Sequence, residues 1–93
     1  MNQQYSSICI PRIDTNIQRE YIYNKIKNMN MGTIDRMIEI PLRNDPTHKR
    51  VIITIRWNIR SEMAQNVKKI FDEKGSVKLV HDMPWYWKIC PAR

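Results

Sequence analysis

Arg50-Val51-Ile52-Ile53-Thr54-Ile55-Arg56-Trp57 is the clearest strand in the chain. Side chains of a strand alternate between two faces, so Ile53, Ile55 and Trp57 share one side and Ile52, Thr54 and Arg56 the other. Its β-branched residues suit a pleated, half-buried surface. Just before it, Arg43-Asn44-Asp45-Pro46-Thr47-His48-Lys49 is turn-rich and basic and reads as a hairpin loop. Thr33-Ile34-Asp35-Arg36-Met37-Ile38-Glu39-Ile40 is then the preceding strand, with interrupted alternation. Whether Met37 or Ile38 points inward stays open; a bulge would accommodate both.

Two helical patterns flank this pair. Thr15-Asn16-Ile17-Gln18 has the spacing of a capping box, so a helix is expected to begin there. Ile17, Tyr21, Ile22, Ile26 and Met29 follow at helical spacing, and Gly32 closes the element. A second helix is predicted from Ser61 to Lys74, with Met63, Val67, Ile70 and Phe71 as its apolar stripe and Gly75 as its cap. The chain's first strand is Ser7 to Ile13, with Ile8 and Ile10 on one side and Cys9 on the other; Pro11 limits its pairing. Ser76 to His81 reads as the last strand.

The order strand, helix, strand, strand, helix, strand predicts an α+β fold, the ferredoxin-like βαββαβ sandwich. Such a sandwich has a four-stranded antiparallel sheet with two helices on one face. The 93 residues have room for one domain and one modest core. Residues 1–6 are expected to be a flexible start, and 83–93 a C-terminal aromatic extension.

Composition narrows the function classes. With 42% hydrophobic and 27% charged residues the chain has an ordinary globular composition rather than that of a disordered tail. No apolar run approaches the roughly 20 residues that span a bilayer. Met1 to Ser7 lacks a signal-peptide pattern, so an intracellular protein without membrane contact is expected. Cys9 and Cys90 have no metal-ligand spacing; two reduced thiols are expected, although a disulfide between them is geometrically conceivable. No metal site or cofactor is expected. Sixteen Lys and Arg against nine Asp and Glu give a net charge of +7, which favours polyanionic partners.

Arg50 to Trp57 resembles the octamer motif of the RNA-recognition motif (RRM), in which a basic residue opens the strand and alternating hydrophobics follow. Ile8 to Ile13 stands where the RRM hexamer motif would lie. The RRM's base-stacking aromatics would fall on Cys9, Ile52 and Thr54, none of which can stack. The chain is also similar to short RRM-like proteins of large nucleocytoplasmic DNA viruses (giant viruses). Ile10-Pro11-Arg12-Ile13, Gly32-Thr33-Ile34-Asp35-Arg36 and Asp82-Met83-Pro84-Trp85-Tyr86-Trp87-Lys88 carry that likeness. It implies a viral setting, in the host cytoplasm or viral factory, with packaging in the virion as a further option.

Three groups are candidate contacts. Trp85, Tyr86, Trp87 and Lys88 either replace the missing stacking platform or fold back over the core or sheet. Arg56 and Lys78 on the sheet's outward face, beside Cys9, Ile52 and Thr54, either hold phosphates or are simply solvated. Arg43, Lys49 and Arg50 around the hairpin loop, and Arg12 near the end of the first strand, complete the basic set.

Catalysis has little support. No nucleophile–base pair, paired carboxylates or Gly-rich phosphate loop can be read from the spacing, although an acylphosphatase-like or nucleotide-sensing variant of the fold remains conceivable. The expectation is a non-catalytic module that binds single-stranded RNA or DNA. The alternative is a protein-interaction domain that self-associates or binds a viral or host protein.

Overall fold

The outward–inward alternation of the central strand organises the computed structural model, which describes residues 5–58, 60–83 and 85–92. The elements are β1 (Tyr5–Asp14), α1 (Arg19–Lys27), β2 (Gly32–Leu42), β3 (Asp45–Trp57), α2 (Glu62–Lys74), β4 (Val77–Asp82) and β5 (Trp85–Ala92). They form an α+β structure with two helices and a five-stranded sheet, ordered β2-β3-β1-β5-β4, in which every pairing is antiparallel.

The expected sheet of four strands is therefore corrected to five. The 83–93 segment is no extension: its described residues from Trp85 form β5, inserted between β1 and β4. Trp87 and Ile89 point into the core, which gives this strand the same period of two as β3. Because β5 reverses after β4, β4 runs parallel to β1 and begins at the end of the sheet where β3 stops.

One core fills the space between the sheet and the helices. Ile8 and Ile10 of β1, Val51, Ile53, Ile55 and Trp57 of β3, and Ile22 and Ile26 of α1 are buried in it. Met37 is buried and Ile38 exposed, and a register shift between Ile34 and Arg36 supplies the bulge that the broken alternation called for. From α2 come Ala64 and Val67, with Phe71 packed at the side; Met63, expected in the stripe, is 45% exposed.

Local chemistry explains the element ends. Ser61 caps α2 by accepting from the Ala64 N–H at 3.3 Å, and Gly75 ends it in the left-handed region (φ 78°), its N–H donating to Phe71 O. α1 starts later than the capping box suggested. The Thr15 hydroxyl donates to the Pro46 carbonyl at 3.1 Å, and Gln18, at the N-cap, makes no side-chain cap bond. Asn30, not Gly32, takes the left-handed conformation after α1 (φ 57°). Gly32 instead opens β2, where an added Cβ would lie 2.1 Å from the Arg56 carbonyl oxygen.

Two other boundaries move. The loop expected over Arg43–Lys49 shrinks to Arg43 and Asn44, since β3 already begins at Asp45. Tyr5 and Ser6, assigned to a flexible start, belong to β1, while residues 1–4 lie outside the described residues. The indole N–H of the buried Trp57 donates to Ser6 Oγ, which ties that first part of β1 down.

Candidate functional site

Alternation from the buried residues places a second set of side chains on the face away from the helices. Arg50, Ile52, Thr54 and Arg56 interleave with the buried Val51, Ile53, Ile55 and Trp57. Register then builds rows across the sheet: Ile38 faces Ile52, Ile52 faces Cys9, and Cys9 faces Cys90. The neighbouring rows pair Ile40 with Arg50, Arg36 with Thr54, and Lys78 with Lys88. The result is an aliphatic and thiol centre flanked by five cations, Arg36, Arg50, Arg56, Lys78 and Lys88.

On the three central strands, β3, β1 and β5, no Asp or Glu takes an outward position between the Arg50 and Arg56 rows. Two rings join the cations: Lys78 Nζ lies 4.9 Å from the Tyr86 ring centroid, and the Arg56 guanidinium 5.9 Å from that of Tyr5. Arg36 and Tyr5 escaped the sequence reading. Counting back by twos from Cys9 places Tyr5 on this face, but Arg36 becomes outward only once the β2 bulge is known.

Five expected contacts thus share this face: Arg50, Arg56, Lys78, Tyr86 and Lys88. Two others are corrected. Trp87 is only 6% exposed, stacked on the His81 ring at 4.2 Å with Tyr21 edge-on at 5.9 Å, so it cannot stack on a ligand. Lys49 is 8% exposed; its Nζ donates to Glu39 Oε1 and to the Ile17 carbonyl at 2.7 Å, and it is not available to a phosphate. Burial lowers the His81 pKa from its ordinary value, Asp82 opposes this and Lys25 adds to it, so the ring stays neutral at neutral pH.

The sheet forks beside this face. Among the described residues, β1 and β5 pair only over Ser7–Cys9 and Cys90–Ala92; beyond Cys9, β1 continues along β3, and β5 lies along β4. Pro11 lacks an N–H for the ladder and sits where the pairing has stopped. A cleft of about 490 Å³ opens in the fork, lined by Arg12, His48, His81, Trp85, Tyr86 and Trp87 among others. Trp85 is 67% exposed on its wall. Arg43 stands exposed in the β2–β3 turn, outside the row of cations.

Arg12 is held by an ion pair with Asp45, which also accepts from the Thr47 N–H at 3.1 Å and lies 3.0 Å from His48 Nδ1. The Thr47 hydroxyl bond, then its N–H, Arg12 and His48 together outweigh desolvation and hold the Asp45 carboxyl at about 2. The contribution of this carboxylate to stability is complete above the ordinary value of 3.8 and is lost as pH falls through about 2. Carbon-detected NMR titration is expected to place its midpoint near 2 and to find it raised in Thr47→Val. A midpoint of 3.8 in the unsubstituted chain contradicts this cluster.

No family model, curated protein or solved structure matches the chain.

The chemistry open to the site therefore rests on its own residues. Guanidinium and ammonium groups flanking a mostly aliphatic floor can hold a line of phosphates while apolar faces contact bases or side chains. Burial raises the Cys9 pKa, Arg50 opposes this and Cys90 adds to it, so Cys9 is a thiol at neutral pH. Among the described residues, no group of three or more His, Cys, Asp and Glu could hold a metal ion, and no helix is long and apolar enough to cross a membrane.

Proposed function

We propose that the chain is a non-catalytic module that binds single-stranded nucleic acid, RNA before DNA, across the outward face of its sheet. The carrying observation is the five-cation face whose central strands present no carboxylate between the Arg50 and Arg56 rows. The remaining acids lie on the helices, inward or towards the strand ends and the β2 edge, which leaves the net charge of +7 unevenly spread. A single strand tracks such a surface through its phosphates, and Tyr86 and Trp85 at the forked end supply stacking that Cys9, Ile52 and Thr54 cannot.

In this reading the fold is a five-stranded variant of the ferredoxin-like, RRM-like arrangement. β5 stands beside β1, where that arrangement has its fourth strand, and β4 is added at the edge. The likeness to RRM-like proteins of large DNA viruses belongs to the same proposal, as does an intracellular setting.

Fluorescence anisotropy with a labelled single-stranded RNA tests the binding. Affinity is expected to fall with salt, log Kd rising with log salt at a slope of about 3 to 4 if all five cations meet phosphates. Absence of binding at low salt removes the proposal. A second reading has support from Ile38, Ile40 and Val80, exposed on the same face: self-association or docking on a protein partner. Light scattering that finds a concentration-dependent dimer, without RNA binding, would favour it.

A further inference from the structure

The fork in the sheet ends in two sulfurs. Cys9 and Cys90 are direct partners in the β1–β5 ladder, both thiols are free, and both are partly exposed on the outward face. Facing residues of an antiparallel pair have Cα atoms about 4.5 or 5.5 Å apart. Both spacings fall within the roughly 4.4–6.8 Å that a disulfide bridges without backbone movement. Among the described residues, the pair closes a ladder of three residue pairs, Ser7 with Ala92, Ile8 with Pro91 and Cys9 with Cys90. This ladder is the backbone junction between the β2-β3-β1 part of the sheet and the β4-β5 hairpin.

We propose that Cys9 and Cys90 form a thiol–disulfide site that staples the β4-β5 hairpin to β1 in the presence of a two-electron oxidant such as hydrogen peroxide. One sulfur, after losing its proton, attacks a peroxide oxygen; the O–O bond breaks, water leaves and a sulfenic acid remains. The second sulfur attacks that sulfenic sulfur, the S–S bond forms, the S–O bond breaks and a second water leaves. Both sulfurs are oxidised, the peroxide is reduced, and the thiol protons end in the two waters. A dithiol reductant reverses the bond by exchange.

The bond encloses nearly the whole chain, from Cys9 to Cys90, and so removes much of the freedom of the unfolded state. It also fixes the inner corner of the fork, and with it how far the cleft beside Trp85 can open. The site stands on the register alone and does not depend on nucleic-acid binding.

The test uses the full chain treated with hydrogen peroxide at low protein concentration. Intact mass is expected to fall by two hydrogens, and a peptide digest without reductant is expected to contain the Cys9–Cys90 linked pair. The melting temperature is expected to rise by about 10 °C or more and to return on reduction. Cys9→Ser and Cys90→Ser are each expected to abolish the mass loss and the rise. Oxidation that yields only linked dimers or sulfinic acids overturns the proposal, as does an internal bond that leaves the melting temperature unchanged; neither readout depends on the variants folding.

Discussion

Gly32→Ala is expected to cost about 3 kcal/mol, lowering the melting temperature by roughly 15 °C. The new Cβ would meet the Arg56 carbonyl oxygen at 2.1 Å and the Trp57 Cα at 2.9 Å, both of them backbone atoms. No rotamer change relieves such a clash; the start of β2 must move off β3, in the row that seats Trp57. Gly75 offers a contrast. Nothing stands within 4 Å of its Cβ position, so Gly75→Ala costs only the left-handed conformation, about 1 kcal/mol. Thermal melts followed by circular dichroism compare the two. A Gly32→Ala chain that melts with its parent contradicts the β2–β3 approach described here.

Trp87→Ala is expected to remove about 3–5 kcal/mol, a large part of the 5–15 kcal/mol that small domains possess. Its ring fills the space between Leu79, its cross-strand partner, and Tyr21, with the His81 ring lying flat upon it. Trp85→Ala, two residues away, removes a largely exposed ring and is expected to change stability by no more than about 0.5 kcal/mol. Urea denaturation separates them. Equal costs for the two substitutions contradict the burial of Trp87 in the core and the exposure of Trp85 at the open end of the same strand face.

That same alternation marks how far the sequence could be read. β3 was legible because its β-branched residues keep strict period two, and Ile53, Ile55 and Trp57 lie inward as expected. α2 was legible from Ser61 and Gly75, whose caps form as their chemistry suggests. β5 carries the same signal in Trp87 and Ile89. Three aromatics in a row masked it, because rings at the end of a small domain serve equally well as a lid or a ligand platform.

The site was harder to read because it is made by register. Lys49 looked like a loop cation until β3 proved to start at Asp45, which sets Lys49 beside Glu39 on the neighbouring strand. Arg12 looked free, but the fold brings Asp45 to it across 33 positions. Cys9 and Cys90 stand at opposite ends of the sequence, and only the insertion of β5 between β1 and β4 makes them neighbours. Spacing along the chain contains none of these pairings.

The most direct measurement compares two triple substitutions that remove equal charge. Arg50→Ser, Arg56→Ser and Lys88→Ser empty the outward face, whereas Lys27→Ser, Lys69→Ser and Lys74→Ser change exposed positions on the helices. Anisotropy with a single-stranded RNA at low salt is predicted to find binding weakened about tenfold or more by the first set, with the salt slope reduced by about 2. The helix set is predicted to leave affinity within a few-fold of the parent. Equal losses from both sets would mean that the RNA responds to net charge alone, and the outward face would not be the binding surface.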